Sequence, residues 1–362
     1  MSNKAKLVLG VTMSLALMFG FLHAIWPEFP ISFKRLHIFG FNLLTGGSLI
    51  LYYTQAKGVF TKQVQAYFAL SLAYALSAAA GIYPVALALS IPLLLLVESV
   101  RIKRFSFFPW DFFKPGKVSE KFNQAALLCL SIGIVFASLV ILNNEYLKLI
   151  SYEKLTLEVF FLGYSFPVSL ITMAIMFSFM TKEETKLTAI LKEIGFWFVN
   201  LGVIVFFAFI IFGVFIAEMV ISTTLFFTVF MIFFLFIRTA PKVQQKTFLV
   251  SGMMFLLLTA LTGIFYILVY FFPAIETYKE FVLALHAMVA LYGWNLSGLF
   301  IIIRWNDFPI KLNSILAISL HWAIVLILAP LGNYFLPLAA LAMVSYVALL
   351  MIVFAGRANQ KG

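Results

Sequence analysis

Residues 194–237 read IGFWFVNLGVIVFFAFIIFGVFIAEMVISTTLFFTVFMIFFLFI, and Glu218 is the one charged side chain among them. A helix needs about 20 apolar residues to cross the hydrocarbon core of a bilayer, so this stretch is too long for one crossing. It predicts two membrane-spanning helices joined by a tight turn near Gly213 and Glu218. Helices satisfy their own backbone hydrogen bonds, which is the condition for crossing lipid.

The rest of the chain is also strongly apolar. It is 64% hydrophobic and 11% charged, whereas a soluble domain is about half apolar and a quarter charged. Alternating ten-residue blocks, which are typical of membrane barrels, are not seen. The sequence therefore predicts an all-α polytopic membrane protein, with residues 1–362 forming a single transmembrane helical domain in the lipid bilayer. The twelve predicted spans are 7–25, 33–54, 65–80, 83–99, 123–143, 156–180, 190–213, 219–237, 247–271, 280–303, 313–330 and 333–355.

The basic residues predict the orientation of these spans. If the N terminus is inside, 20 of the 25 basic residues lie on the cytoplasmic side, and the five exceptions are Lys34, Arg35, Lys148, Lys154 and Lys279. Cytoplasmic loops are enriched in lysine and arginine, so both termini are predicted to be cytoplasmic in a multi-pass protein of the inner (cytoplasmic) membrane. The net charge of +11 is thus explained first by the membrane topology and second by contact of the basic residues with anionic lipids. Nucleic acid is not an expected partner.

Four histidines are the main candidates for function. His23, His37, His286 and His321 are all predicted to lie in the outer half of the membrane. Ionisable residues at membrane depth are costly and are functional candidates by default. The alternative is that each is a polar residue whose hydrogen bonds are satisfied by its neighbours. Clustering in one half of the bilayer favours ligation of a metal or haem by at least one pair.

Two short motifs carry a resemblance to a known family. Residues 35–40 read RLHIFG and are followed by Gly46 and Gly47, and residues 286–293 read HAMVALYG. These segments resemble helices 2 and 10 of the catalytic subunit of haem-copper oxidases, especially the nitric oxide reductase and C-type oxidase branches. The twelve-helix layout with both termini inside is also that of this family.

The resemblance implies a set of haem b ligands. His37 matches the helix 2 histidine that ligates the low-spin haem, and His286 matches the first helix 10 histidine. Met288 stands where the family has its second helix 10 histidine, and histidine and methionine are both common axial ligands. Lys34 and Arg35 are candidates to pair with haem propionates, with an interfacial anchor as the alternative. We expect His37 and His286 to lie at matching depth, with Met288 as the alternative partner of His37.

Other residues are less specific. Gly46 and Gly47 either leave room for a macrocycle or allow close helix packing. His23 and His321 are further candidate ligands that packing alone also explains. A full haem-copper site needs about six histidine ligands for its haems and copper, and this chain has four. We therefore expect no copper and no oxygen reduction by the family's mechanism.

Several functions stay open at this point. Leu285-His286-Ala287 through Arg304 also resembles the NnrS-like haem membrane proteins. A haem-binding chain would serve electron transport, handling of a gas such as NO or O2, or a respiratory chain complex with other membrane or redox subunits. The alternatives are a secondary transporter, which usually shows related halves, and a cofactor-free structural subunit. The sequence does not decide whether the protein is an enzyme.

Overall fold

The computed structural model describes residues 1–55, 59–151, 161–181 and 185–358. In this part of the chain the secondary structure is helical, apart from an isolated antiparallel bridge between Ile310 and Ala358. The start of the sixth predicted span at 156 lies outside the described residues. So do four basic residues used for the orientation: Lys57, Lys154, Lys182 and Lys361.

The helices follow the predicted spans closely. In chain order they are α1 (Asn3–Ile25), α2 (Phe33–Gln55), α3 (Lys62–Ala79), α4 (Tyr83–Arg104), α5 (Val118–Leu147), α6 (Phe161–Ser178), α7 (Lys186–Phe212), α8 (Phe215–Thr239), α9 (Gln244–Leu268), α10 (Ala274–Ile303), α11 (Ser314–Gly332) and α12 (Leu336–Ala355). Among the described helices, ten are long and apolar enough to cross a membrane, as expected for a multi-pass membrane protein. Helices α3 and α6 are not among these ten, so a count of twelve spans stays a prediction.

Two glycines form the turns that divide the longest apolar runs. Gly81, between α3 and α4, has φ of +72°, and Gly213, between α7 and α8, has φ of +68°. Glycine adopts this left-handed conformation without the cost that a side chain would add. The amide of Val214 then donates to the carbonyl of Phe209 at 3.1 Å and closes the end of α7. The long stretch 194–237 is thus two helices, as predicted.

Charged side chains meet at one end of the molecule, which we call the ion-paired end. Lys6 at the start of α1 pairs with Asp307 after α10, and Lys121 at the start of α5 lies 2.8 Å from Glu193 in α7. The other described pairs here are Arg101–Glu98, Arg104–Glu120, Lys114–Asp111 and Arg304–Asp307.

Backbone contacts bring both ends of the chain to the ion-paired end. A guanidinium nitrogen of Arg304 donates to the carbonyl of Phe354 at 2.6 Å, and the amide of Lys311 donates to the carbonyl of Arg357 at 2.8 Å. Lys6, near the N terminus, joins the same group through Asp307. The start of α1 and the end of α12 therefore lie on one side of the helix bundle.

Helices α2 and α10 are the innermost of the bundle. In their most apolar 18-residue windows, 89% of the α2 residues and 83% of the α10 residues are buried, against 22% for α7. Both helices contain a widened π-helical stretch, at Phe39–Gly46 and at Val289–Asn295, and α11 has another at Ile324–Leu328. Such stretches interrupt the regular hydrogen-bond ladder and are frequent at functional sites.

Candidate functional site

His37 lies in the first turns of α2 and binds to the backbone of α1. Its Nδ1 is 2.8 Å from the carbonyl oxygen of Ala16 and 3.2 Å from the hydroxyl oxygen of Tyr292. A carbonyl oxygen only accepts hydrogen bonds, so Nδ1 carries the proton and donates it. The lone pair of the imidazole is then on Nε2.

A glycine in α1 makes room for this imidazole. A Cβ atom on Gly20 would lie 2.9 Å from Nδ1 of His37, which is too close for a side chain. Ala16 and Gly20 are four residues apart and therefore share the face of α1 that meets α2. His37 remains half-buried, and His23, near the end of α1, is close enough to interact with it electrostatically.

Tyr292 connects His37 to the centre of the bundle. Its hydroxyl contacts His37, and its ring packs edge-on against Phe41, with ring centroids 4.9 Å apart, and against Tyr346, at 5.5 Å. Its carbonyl accepts a hydrogen bond from Nε2 of His321. Sequence reasoning missed Tyr292, although it lies inside the 286–293 motif and is four residues after Met288.

His321 is buried and bonded to the backbone of α10. It is 3% exposed, its Nε2 bonds to the backbone of Tyr292, and its ring lies 5.0 Å from the ring of Phe255 and 5.8 Å from that of Phe300. A buried polar group with a partner of this kind is the ordinary state of a core histidine. The packing alternative therefore accounts for His321.

His286 faces a different helix from His37. Its Nδ1 is 3.0 Å from the carbonyl oxygen of Thr259 and 3.2 Å from the hydroxyl of Thr262, both in α9. The carbonyl again fixes the proton on Nδ1 and leaves Nε2 with the lone pair. His37 is therefore hydrogen-bonded to α1, and His286 is hydrogen-bonded to α9. Among the described residues, no hydrogen bond or ring contact links the two histidines.

By its spacing along α10, Met288 rather than His286 shares a face with Tyr292, the residue that contacts His37. Met288 is 7% exposed and precedes Tyr292 by four residues, so the two share a helix face. His286 precedes Tyr292 by six residues, about 9 Å along the axis and on another face. This arrangement favours Met288 as the residue of α10 that accompanies His37.

The two predicted propionate partners differ in their surroundings. Lys34 is exposed. One guanidinium nitrogen of Arg35 donates to the carbonyl of Ala78 and to the hydroxyl of Tyr83, both at 2.9 Å. Arg35 thus ties α2 to the turn between α3 and α4, which is a structural role close to the predicted site.

The glycine pair of α2 serves helix packing. A Cβ atom on Gly46 would overlap the side chain of Val168 in α6, and one on Gly47 would overlap the ring and hydroxyl of Tyr67 in α3. The Tyr67 hydroxyl donates to the carbonyl of Leu43 at 3.1 Å. Because these side chains fill the space, the two glycines do not leave room for a macrocycle, and the packing alternative explains them.

The fit of the site to a haem is therefore mixed. In favour, His37 and His286 each present Nε2 and are half-buried rather than sealed in the core. Two buried polar groups also have no hydrogen-bond partner among the described residues. They are the Tyr346 hydroxyl, beside Tyr292, and the Asn42 amide, beside Phe41. Buried polar groups normally have a hydrogen-bond partner. Against it stand the filled space at the glycine pair and the different faces of His37 and His286.

No three histidine, cysteine, aspartate or glutamate side chains in the described part of the chain converge to hold a metal ion.

No protein-family model matches the chain, and no curated protein matches it significantly.

Proposed function

We propose that the chain is a haem-binding multi-pass membrane protein, distantly related to the haem-copper oxidase catalytic subunit, with His37 as the principal axial ligand. One observation carries this proposal. Nδ1 of His37 is held by the Ala16 carbonyl at 2.8 Å. Histidines that ligate metals usually donate their other ring N–H to a carbonyl or carboxylate, which fixes the tautomer and the ring orientation.

The second ligand would come from α10. Met288 lies on the same face as Tyr292, which touches His37 at 3.2 Å, so Met288 is the preferred partner. His286 is the second choice, and its Nδ1 is held by the Thr259 carbonyl in the same manner. When bound, haem b supplies a one-electron redox centre or an iron site for a gas. The Ala16 carbonyl and the Tyr292 hydroxyl orient the imidazole.

The orientation belongs to the same proposal. We place both termini in the cytoplasm, with twelve spans in the inner membrane, because ion pairs and both chain ends gather at one end of the bundle. His37 follows the loop between α1 and α2, at the opposite end, and would lie on the outer side. Electron transfer there requires a partner, for which other membrane or redox subunits are the candidates.

One observation favours a second candidate, a cofactor-free structural subunit of a membrane complex. The side chains of Val168 and Tyr67 fill the space beside the glycine pair of α2. Under this alternative His37 joins α1, α2 and α10 and binds nothing else. The secondary-transporter alternative has no comparable support from a described residue.

Haem content separates these candidates. The protein is purified from cells supplied with haem precursor, and bound haem is measured as its pyridine complex, per chain. We expect haem in the wild type and its loss in His37→Ala. His23→Ala tests the other candidate ligand near His37, and haem that is kept in this variant would make the loss in His37→Ala specific. Wild-type protein that is folded and free of haem would support the structural alternative.

A further inference from the structure

The connection between α4 and α5 exposes a group of aromatic rings. It contains one short helical turn, Trp110–Phe112, and we call residues 105–113 the aromatic segment. The side chains that are 62%, 63%, 63% and 70% exposed are, in order, Phe107, Phe108, Trp110 and Phe113. Their rings form two pairs, with centroids 5.0 Å apart at 107 and 108 and 6.5 Å apart at 110 and 113. Grouped exposed apolar side chains mark a surface that contacts a partner or a membrane.

Polar contacts hold the backbone of the aromatic segment in place. The guanidinium group of Arg101, which is 3% exposed, donates to the carbonyls of Ser106 at 3.0 Å and Phe107 at 2.9 Å. The carboxylate of Asp111 accepts from the amide and the hydroxyl of Ser106, at 2.8 and 2.6 Å. The exposed rings are therefore presented outward on a backbone with a defined shape.

The aromatic segment packs on α7. The ring of Phe112 lies 5.3 Å from that of Phe196, and the ring of Phe113 lies 5.1 Å from that of Trp197. Phe198, the next residue of α7, is 47% exposed. Only 22% of the most apolar window of α7 is buried, the lowest share among the ten described helices that could cross a membrane. The exposed rings therefore continue the apolar outer surface of α7, which meets lipid in a membrane protein.

Charged pairs lie on both sides of the aromatic segment. Arg104 pairs with Glu120 at 2.8 Å, and Lys114 pairs with Asp111 at 3.1 Å. Arg104 and Lys114 are exposed, so these pairs need water nearby, whereas the rings between them need an apolar phase. In a membrane protein both needs are met at the level of the lipid head groups, where tryptophan and tyrosine are enriched.

We propose that the aromatic segment inserts into the head-group region of the bilayer that the protein spans, with its four exposed rings directed toward lipid. Lipid is favoured over a protein partner because the rings are continuous with the lipid-facing surface of α7. Insertion would anchor the end of α4 at a fixed depth. The proposal needs neither haem nor a particular orientation of the chain.

The test uses the full chain in phosphatidylcholine vesicles, with Cys129→Ala and one nitroxide label at Phe108→Cys. Electron paramagnetic resonance measures how often the label collides with oxygen, which concentrates in lipid, and with a neutral nickel chelate, which stays in water. Leu95→Cys, at a position 63% exposed in the middle of α4, gives the reference for lipid. Gly116→Cys, at an exposed position before α5, gives the reference for water. We expect the ratio of oxygen to nickel collisions at 108 to be several-fold above that at 116 and below that at 95.

Two results would overturn the proposal. A ratio at 108 equal to that at 116 would place the aromatic segment in water. Few collisions with either reagent at 108, with both references normal, would show that protein covers the rings instead of lipid. Trp110→Cys repeats the measurement at a second exposed position, and the proposal requires the two positions to agree.

Discussion

The hydroxyl of Tyr292 lies 3.2 Å from Nδ1 of His37, and this contact joins α10 to α2 at the proposed site. Nδ1 donates its proton mainly to the Ala16 carbonyl, at the shorter distance of 2.8 Å. The imidazole is therefore held from two sides, by the backbone of α1 and by a side chain of α10. This fixed orientation is what a ligand to iron requires.

Removing the Tyr292 hydroxyl should loosen the imidazole without removing it. In Tyr292→Phe we expect stability to fall by about 1 kcal/mol, the net value of one hydrogen bond. We also expect a shifted haem absorption band with haem content unchanged. Thermal unfolding and visible spectroscopy measure the two effects. Tyr334→Phe is the control, because this tyrosine is 55% exposed in the loop between α11 and α12. A larger effect in that control would contradict the account.

The glycine pair of α2 predicts a stability effect that is separate from haem. In Gly47→Ala the new methyl group would overlap the Tyr67 ring, and we expect a loss of about 1–3 kcal/mol from overpacking. In Gly10→Ala the nearest atom is an ordinary 3.4 Å away, on Phe354, so this helical control should lose far less. Thermal unfolding in detergent checks both variants. Equal losses would show that the overlap with Tyr67 is not the cause.

Much of the fold could be predicted from the sequence, because lipid imposes a simple rule on span length and because Gly81 and Gly213 end helices in a conformation that glycine favours. The contacts of the proposed site could not be predicted from the sequence. Whether His286 faces α2 or α9 depends on the rotation of α10, which includes a π-helical stretch after Met288. The role of Gly47 depends on Tyr67, a residue of another helix whose position no local pattern indicates.

The orientation can be tested by cysteine labelling. Cys129 is first replaced by alanine, and Gly116→Cys or Ile150→Cys is added. An impermeant reagent applied to intact cells should label position 150, which is 61% exposed, and should not label position 116, in the segment before α5. After permeabilisation both should react. The reverse pattern in intact cells would overturn the orientation and the depth assigned to His37.

The segment before α5 should respond to acid through Asp111. Hydrogen bonds from the Ser106 hydroxyl and amide, at 2.6 and 2.8 Å, lower the pKa of Asp111 to about 2. A carboxyl with a lowered pKa stabilises its segment above its ordinary pKa of about 4, and the effect is lost as the pH falls towards 2. The fluorescence of Trp110, isolated by subtracting Trp110→Phe, should change over this range. In Asp111→Asn the change should disappear, and an unaltered transition in that variant would contradict the assignment.

The central claim is that His37 ligates haem, and the reduced-minus-oxidised absorption spectrum of the purified protein tests it most directly. We expect a Soret band and the sharp visible bands of a low-spin haem b in the wild type and their loss in His37→Ala. Met288→Ala should lose the low-spin bands if Met288 is the partner, and His286→Ala should lose them if His286 is. A folded wild-type protein without a Soret band after haem is supplied, or an unchanged spectrum in His37→Ala, would contradict the account.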